Sequence, residues 1–187
     1  MEDRLKQSSK SYLLLGGIAG AILLIDQISK ALVRDLIPIN TVWAPWDWLL
    51  PYARFFHTEN SGVAFGMFKG ANTLFAILAL IVSVAIIYYY PRVPAEDWTL
   101  RIALSMQLAG ALGNLIDRVF IGFVTDFISV GTFAIFNVAD ASITMGVVVL
   151  LIGVWLQERK KPAAPAEVII SQPSVPGEGT SGEVNKE

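Results

Sequence analysis

Four stretches of the chain are apolar for long enough to cross a bilayer, and polar residues collect at their ends rather than along one face. A helix rising about 1.5 Å per residue needs roughly 20 apolar residues to cover a hydrocarbon core of about 30 Å. The first predicted span runs from Ser11 to Val33 and is free of charge from Tyr12 to Ile25. The second runs from Asn72 to Tyr90 and stops at Pro91; the third runs from Thr99 to Phe120, and the fourth from Ala139 to Gln157. Alternation in Val124–Thr125–Asp126–Phe127–Ile128 reads as a strand. The segment TVWAPWDWLLPYARFF reads as a short strand followed by an interfacial amphipathic piece, its Trp43, Trp46 and Trp48 suited to the membrane–water boundary. Residues 162–187 are rich in Pro, Gly, Ser and Glu, with almost nothing to bury, and are expected to be disordered.

Composition agrees with this pattern. Of 187 residues, 54% are hydrophobic and only 16% charged, against about 25% charged in an ordinary soluble domain. The mean hydropathy is +0.56. A soluble α/β enzyme and a disordered chain are excluded, and a net charge of −2 lacks the basic surplus that a nucleic-acid binder needs. With no Cys and one His, disulfides, thiol catalysis, thiolate zinc sites and multi-His metal sites are excluded too.

Basic residues orient the spans. Arg4, Lys6 and Lys10 precede the first, Arg92 and Arg101 flank the connection between the second and third, and Arg159, Lys160 and Lys161 follow the fourth. Between Arg118 and Arg159 there is no Lys or Arg. Positive charge stays inside, so both termini are expected in the cytoplasm, with residues 1–10 as a short cytoplasmic start and 162–187 as a cytoplasmic tail. Two loops, about 34–71 and 121–138, are expected outside. The first span passes into Asp26 and Lys30 rather than a small-residue cleavage site, so it reads as an uncleaved anchor.

In that topology one set of polar residues within or beside the spans gathers on the outer side: Asp26 and Lys30, Asn60, Asn114, Asp117 and Arg118, Asp126, Asn137 and Asp140. Charges near hydrocarbon cost several kcal/mol and mark interiors or wet cavities. Structural readings compete for several of them. Asp26 and Lys30 are spaced for a local ion pair, Asn137 for a helix N-cap, and Asp140 for the positive end of a helix dipole. Asp117 and Arg118 could tether a helix end. Asp126, among apolar neighbours in a strand, is the hardest to explain structurally. His57 is expected at a loop surface, and Ser61 and Ser129 lack a base. Gly179–Thr180–Ser181–Gly182 in the tail is a chance match to a serine-protease motif, since such a nucleophile must sit at a helix start within the membrane.

Four segments in order, DQISK (26–30), NSGVAFG (60–66), GALGNLIDRVFIGFVTDF (110–127) and FNVADASI (136–143), resemble the lipoprotein signal peptidases, the type II signal peptidases. The resemblance covers residues 11–158. It implies an all-α membrane protein of four transmembrane helices, with a small extracytoplasmic β-cradle and a short interfacial flap helix, acting as an aspartyl endopeptidase in the bacterial inner membrane. It implies that Asp126 and Asp140 are the catalytic pair. Asn60, Gly62, Asn114, Asp117, Arg118, Asn137 and Asp26 would bind substrate or support the site. Asp117 is the alternative member of the pair, but adjacent Arg118 is expected to hold it ionised and make it a poor acid. The implied substrate is a prolipoprotein bearing a diacylglyceryl cysteine, cut just before that cysteine. Membrane lipid is the other partner. Neither metal, cofactor nor nucleic acid is called for, and a monomer is expected. The segment ISVGTFAI between the two acids is shorter than in some members. The competing functions are a small transporter or channel with the carboxylates as a relay, and a non-catalytic scaffold; a transporter would spread its acids through the membrane depth, whereas these share one face.

Overall fold

The computed structural model describes residues 2–62 and 71–160. The tail and the part of NSGVAFG beyond Gly62 lie outside the described residues. Helix α1 (Glu2–Leu36) leads to strand β1 (Val42–Trp43), a 3-10 turn (Asp47–Leu49) and strand β2 (Ala53–Asn60). Helix α2 (Asn72–Tyr89) continues through a second 3-10 turn (Tyr90–Arg92) to α3 (Trp98–Phe120), β3 (Val124–Val130) and α4 (Val138–Lys160).

Three helical segments, Ser11–Leu36, Asn72–Arg92 and Val138–Arg159, are long and apolar enough to cross a membrane. The remaining predicted span is α3, a 23-residue helix that carries Arg101, Asn114, Asp117 and Arg118. It lies at the centre and packs on α1, α2 and α4. Its polar side chains therefore face protein. The outer helices turn Leu24, Ile28, Leu80, Ile81, Leu151 and Val154 outward instead.

Leu15 and Ala19 of α1, Ile86 of α2 with Tyr90 just after it, and Leu108 and Ala109 of α3 form the apolar core. The α3–α4 contact is made by small residues. A methyl group on Gly146 would lie 2.9 Å from the Ala103 carbonyl oxygen, and one on Gly153 would lie 2.5 Å from Thr99 Oγ1. Without a hydrophobic drive between helices in lipid, such close approach is what holds them together. At its start α3 is capped by Asp97, which accepts from the Leu100 N–H at 3.0 Å.

The two predicted outer loops meet in one antiparallel sheet, ordered β1-β2-β3. Thr58 stands opposite Asp126, past a register shift between Phe55 and Thr58. Phe55 stacks on Phe127 at 6.2 Å and meets Trp43 at 5.6 Å, which binds the sheet's three strands through one row of rings. The interfacial piece after β1 is one 3-10 turn with exposed Trp46 and Trp48 stacked at 6.0 Å. No longer helix occurs there among the described residues. His57 departs from expectation. It is buried, with its Nδ1 on the Ile37 carbonyl at 2.7 Å, because the segment that follows α1 folds against it and pairs Asn40 and Thr41 with its backbone.

The ISVGTFAI segment finishes β3 and then turns back at Gly131, whose φ of +53° suits a residue without Cβ. Phe136 then pairs with Ile128, exchanging N–H···O bonds of 3.0 and 2.7 Å. This return sets the start of α4 directly beside the middle of β3.

Candidate active site

The return brings Asp126 of β3 and Asp140 of α4 onto one cavity of about 510 Å³, together with Asn60, Gly62, Asn114 and Arg118. Phe133, Ile135, Phe136, Ile143 and Met145 make its apolar wall. Asp126 is buried and Asp140 half-buried. Asn137 connects them. Its Nδ2 donates to Asp126 Oδ1 at 2.7 Å, and its Oδ1 accepts the Asp140 backbone N–H at 2.9 Å. The second bond is the N-cap expected of Asn137, three residues ahead of Asp140. One side chain thus starts the helix and holds the strand acid. Asn60 Nδ2 donates to the other Asp126 oxygen at 2.8 Å, and Asn114 Nδ2 donates to Asp140 Oδ1 at 2.7 Å.

Burial and the charge of Asp140 push the Asp126 carboxyl up to about 7, against the opposing donors Asn60 and Asn137. Such a group keeps its proton through the mildly acidic range and gives it up near neutral pH.

Asp26 and Asp117 are fully buried and lie behind the cavity rather than on it. Lys30, also fully buried, joins them, with Nζ 2.9 Å from Asp26 and 3.1 Å from Asp117. The expectation that Arg118 holds Asp117 is corrected here. Successive helical residues point about 100° apart, so Asp117 turns to α1 while Arg118 turns to the cavity. There its Nη2 donates to the Gly62 carbonyl at 3.3 Å. The cation beside Asp117 is Lys30, with Arg34 at 4.0 Å and the Thr125 N–H donating at 3.2 Å. Asp26 does more than pair locally. Its Oδ1 accepts the Ala139 N–H at 2.8 Å, a second cap on α4.

Three contributors were not singled out from the sequence. Gln27 donates to Asp26, to the Gly113 carbonyl and to Asp117 at 3.0, 3.2 and 3.3 Å. An amide beside an acid in an apolar span is the signal that marks it. Thr125 Oγ1 receives Arg34 Nη1 at 2.8 Å. Gly113 admits Asp26 to α3, since a methyl group there would lie 2.6 Å from Asp26 Oδ2.

Two acids on one cavity, each held by amides and backed by a buried ion cluster, are equipped for proton transfer. Comparison with known proteins places the chain. The family model for signal peptidase (SPase) II matches residues 18–156. The protein belongs to the signal peptidase II family. The family makes it a protease, and family and apolar helices together make it a bacterial membrane protein. It is 35% identical over 136 residues to the lipoprotein signal peptidase of Streptococcus pneumoniae, covering 72% of this chain and 87% of that one. The lipoprotein signal peptidase of Moorella thermoacetica is 36% identical over 136 residues, 71% of this chain and 87% of that one. A solved bacterial membrane enzyme superposes with a TM-score of 0.72 at 30% identity, covering 83% of this chain and 94% of that one.

Proposed function

We propose that the protein removes signal peptides from prolipoproteins by aspartyl chemistry at Asp126 and Asp140, cutting just before a cysteine that carries a diacylglyceryl group. The observation that carries this reading is the shared cavity, with Asn137 bonded to both acids. Charge balance supports it. Four carboxylates (Asp26, Asp117, Asp126, Asp140) gather with three cations (Lys30, Arg34, Arg118). With one proton on the pair the cluster is neutral. With none, it leaves an uncompensated negative charge in a largely desolvated volume.

One shared proton is what water activation requires. The ionised carboxylate takes a proton from a water molecule as its oxygen attacks the scissile carbonyl carbon. The protonated carboxyl gives its proton to the carbonyl oxygen. Collapse of the tetrahedral gem-diol breaks the C–N bond, and the leaving amine takes back a proton. The two acids titrate as a unit and exchange roles in each turnover. Asn60, Gly62, Asn114, Arg118 and Asn137 hold the pair and line the substrate path, while Asp26 and Asp117 support it from behind. The apolar wall excludes bulk water, and exposed Met145 and Phe133 open it toward lipid.

In this reading α3 is the fourth transmembrane helix, both termini are cytoplasmic, and the site lies at the extracytoplasmic face of the inner membrane. Residues 1–10 and 162–187 flank a peptidase domain of 11–161. In this reading the protein acts as a monomer on substrate and lipid, without metal or cofactor. The test is cleavage of a lipidated precursor by purified protein, read as a mobility shift. Wild type should cleave, and Asp126→Asn and Asp140→Asn should each lose about 1,000-fold or more in rate while still folding. Cleavage surviving in both variants would overturn the assignment.

A further inference from the structure

Lys30 does not itself line the cavity, yet it is among the most completely buried side chains of the described residues. An ammonium has three donors and no acceptor. Its three neighbours are all acceptors: Asp26 Oδ2 at 2.9 Å, Asp117 Oδ2 at 3.1 Å and Asn114 Oδ1 at 3.1 Å. The third is the informative one, because an amide has two ends. Asn114 Oδ1 receives a second donor, Asn137 Nδ2, at 3.2 Å. With two donors on its oxygen, Asn114 must aim Nδ2 the other way, and that atom donates to Asp140 Oδ1 at 2.7 Å. Reversing the amide would set N–H groups against an ammonium and another amide, and a carbonyl oxygen against a carboxylate.

We propose that Lys30 is a positioning residue for the reaction: its ammonium fixes the orientation of the Asn114 amide, and through it the carboxylate of Asp140. The proposal rests on Asp126 and Asp140 being the catalytic pair. A polar group such as Gln at position 30 can donate or accept and leaves the amide free to reverse. A lysine permits one orientation. Asn137 lies in the same chain of bonds, so the order imposed by Lys30 extends from Asn114 to both acids. Asp26 and Asp117 offset the charge that this ordering requires at a buried site.

The test uses the full chain in detergent with a lipidated precursor, measuring kcat, KM and melting temperature. Lys30→Met should lower kcat about 100-fold with KM changed less than about threefold, as expected for lost orientation rather than lost binding. Lys30→Arg, which keeps charge and donors, should recover most of the rate. In an Asn114→Ala background the added Lys30→Met change should cost less than about threefold, because the relay is already cut. An equal loss in both backgrounds, or a folded Lys30→Met protein with the wild-type kcat, overturns the proposal. If Lys30→Met does not fold, Asn114→Asp decides. It has the same shape and accepts from Lys30, but as a carboxylate cannot donate to Asp140, so kcat should again fall about 100-fold at unchanged KM. Full activity in that variant rejects the relay. Asp126→Asn and Asp140→Asn run alongside: if they stay active the catalytic pair itself is wrong, and if they are inactive while Lys30 and Asn114 variants work normally, only the relay fails.

Discussion

Helices α2 and α3 lie side by side and follow opposite rules. In α2 only Ser83 and Ile86 are buried, and Leu74, Ile77, Leu80, Ile81 and Val84 point away from the protein. In α3 the large exposed apolar residues, Trp98, Val119 and Phe120, sit at its ends, while Arg101, Ser105, Asn114 and Asp117 are inside. The hydrophobic effect sorts soluble proteins by putting apolar groups inward. In lipid that drive is absent, so what remains is the cost of leaving polar groups unpaired. The most polar helix becomes the central one, and its neighbours shield it. A buried cation then needs partners from other helices. Lys30 has two carboxylates and an amide, whereas Arg101, at the other end of the bundle, has Ser11 Oγ and the Tyr90 ring at 5.3 Å. Charge is concentrated and balanced at the end where chemistry is proposed.

If buried pairing rather than apolar area holds α3, the largest stability loss should follow from breaking a pair. Asp117→Asn leaves Lys30 with one carboxylate and should cost about 3 kcal/mol, together with most of the activity. Thermal unfolding in detergent checks it. A variant as stable as wild type would show that α3 is held by packing alone.

A second expected effect depends on pH. Burial lifts Asp126 from 3.8 to about 7, so the folded state holds a proton that the unfolded chain releases between those values. Wild-type stability should therefore fall as pH rises through that window and level off above it. Asp126→Asn cannot ionise. Its melting temperature relative to wild type should climb from pH 4 to pH 7, by the equivalent of a few kcal/mol, and then stay constant. A gap that does not vary with pH would mean that Asp126 ionises freely in the fold.

Close packing comes next. Gly113→Ala places a methyl group 2.6 Å from Asp26 Oδ2, and should destabilise by about 1–3 kcal/mol while lowering activity through the displaced α4 cap. Melting temperature and precursor cleavage measured together test this, and unchanged values in both would show that α1 and α3 can separate freely. The smallest effect belongs to α2. Ile81→Ala, at an outward position, should shift stability by less than about 0.5 kcal/mol. A loss of 2 kcal/mol there would break the contrast between the two helices.

Much of this was readable from the chain. The apolar runs marked α1, α2 and α4, the alternation at Val124–Ile128 marked β3, and the four-residue spacing of Asp26 and Lys30 marked a pair that is present at 2.9 Å. Periodicity and spacing are local, so a sequence reports them directly. The partner of Asp117 was not readable. Adjacency suggested Arg118, but helix geometry separates neighbours, and a residue 87 positions away in α1 supplies the cation. The burial of His57 and the contribution of Gln27 likewise depend on which element covers which.

By itself, then, the sequence determined what would enter the membrane and which residue types stood at its edge, because bilayer thickness and helical rise set span length irrespective of the fold. Only the tertiary structure decided which acids share a cavity. The turn at Gly131 and the Ile128–Phe136 bridge carry Asp140 back to Asp126, and helix rotation sends Asp117 to Lys30. Ionisable groups in a low-dielectric interior interact strongly over a few ångströms, and distances of that kind are fixed only when separate elements pack.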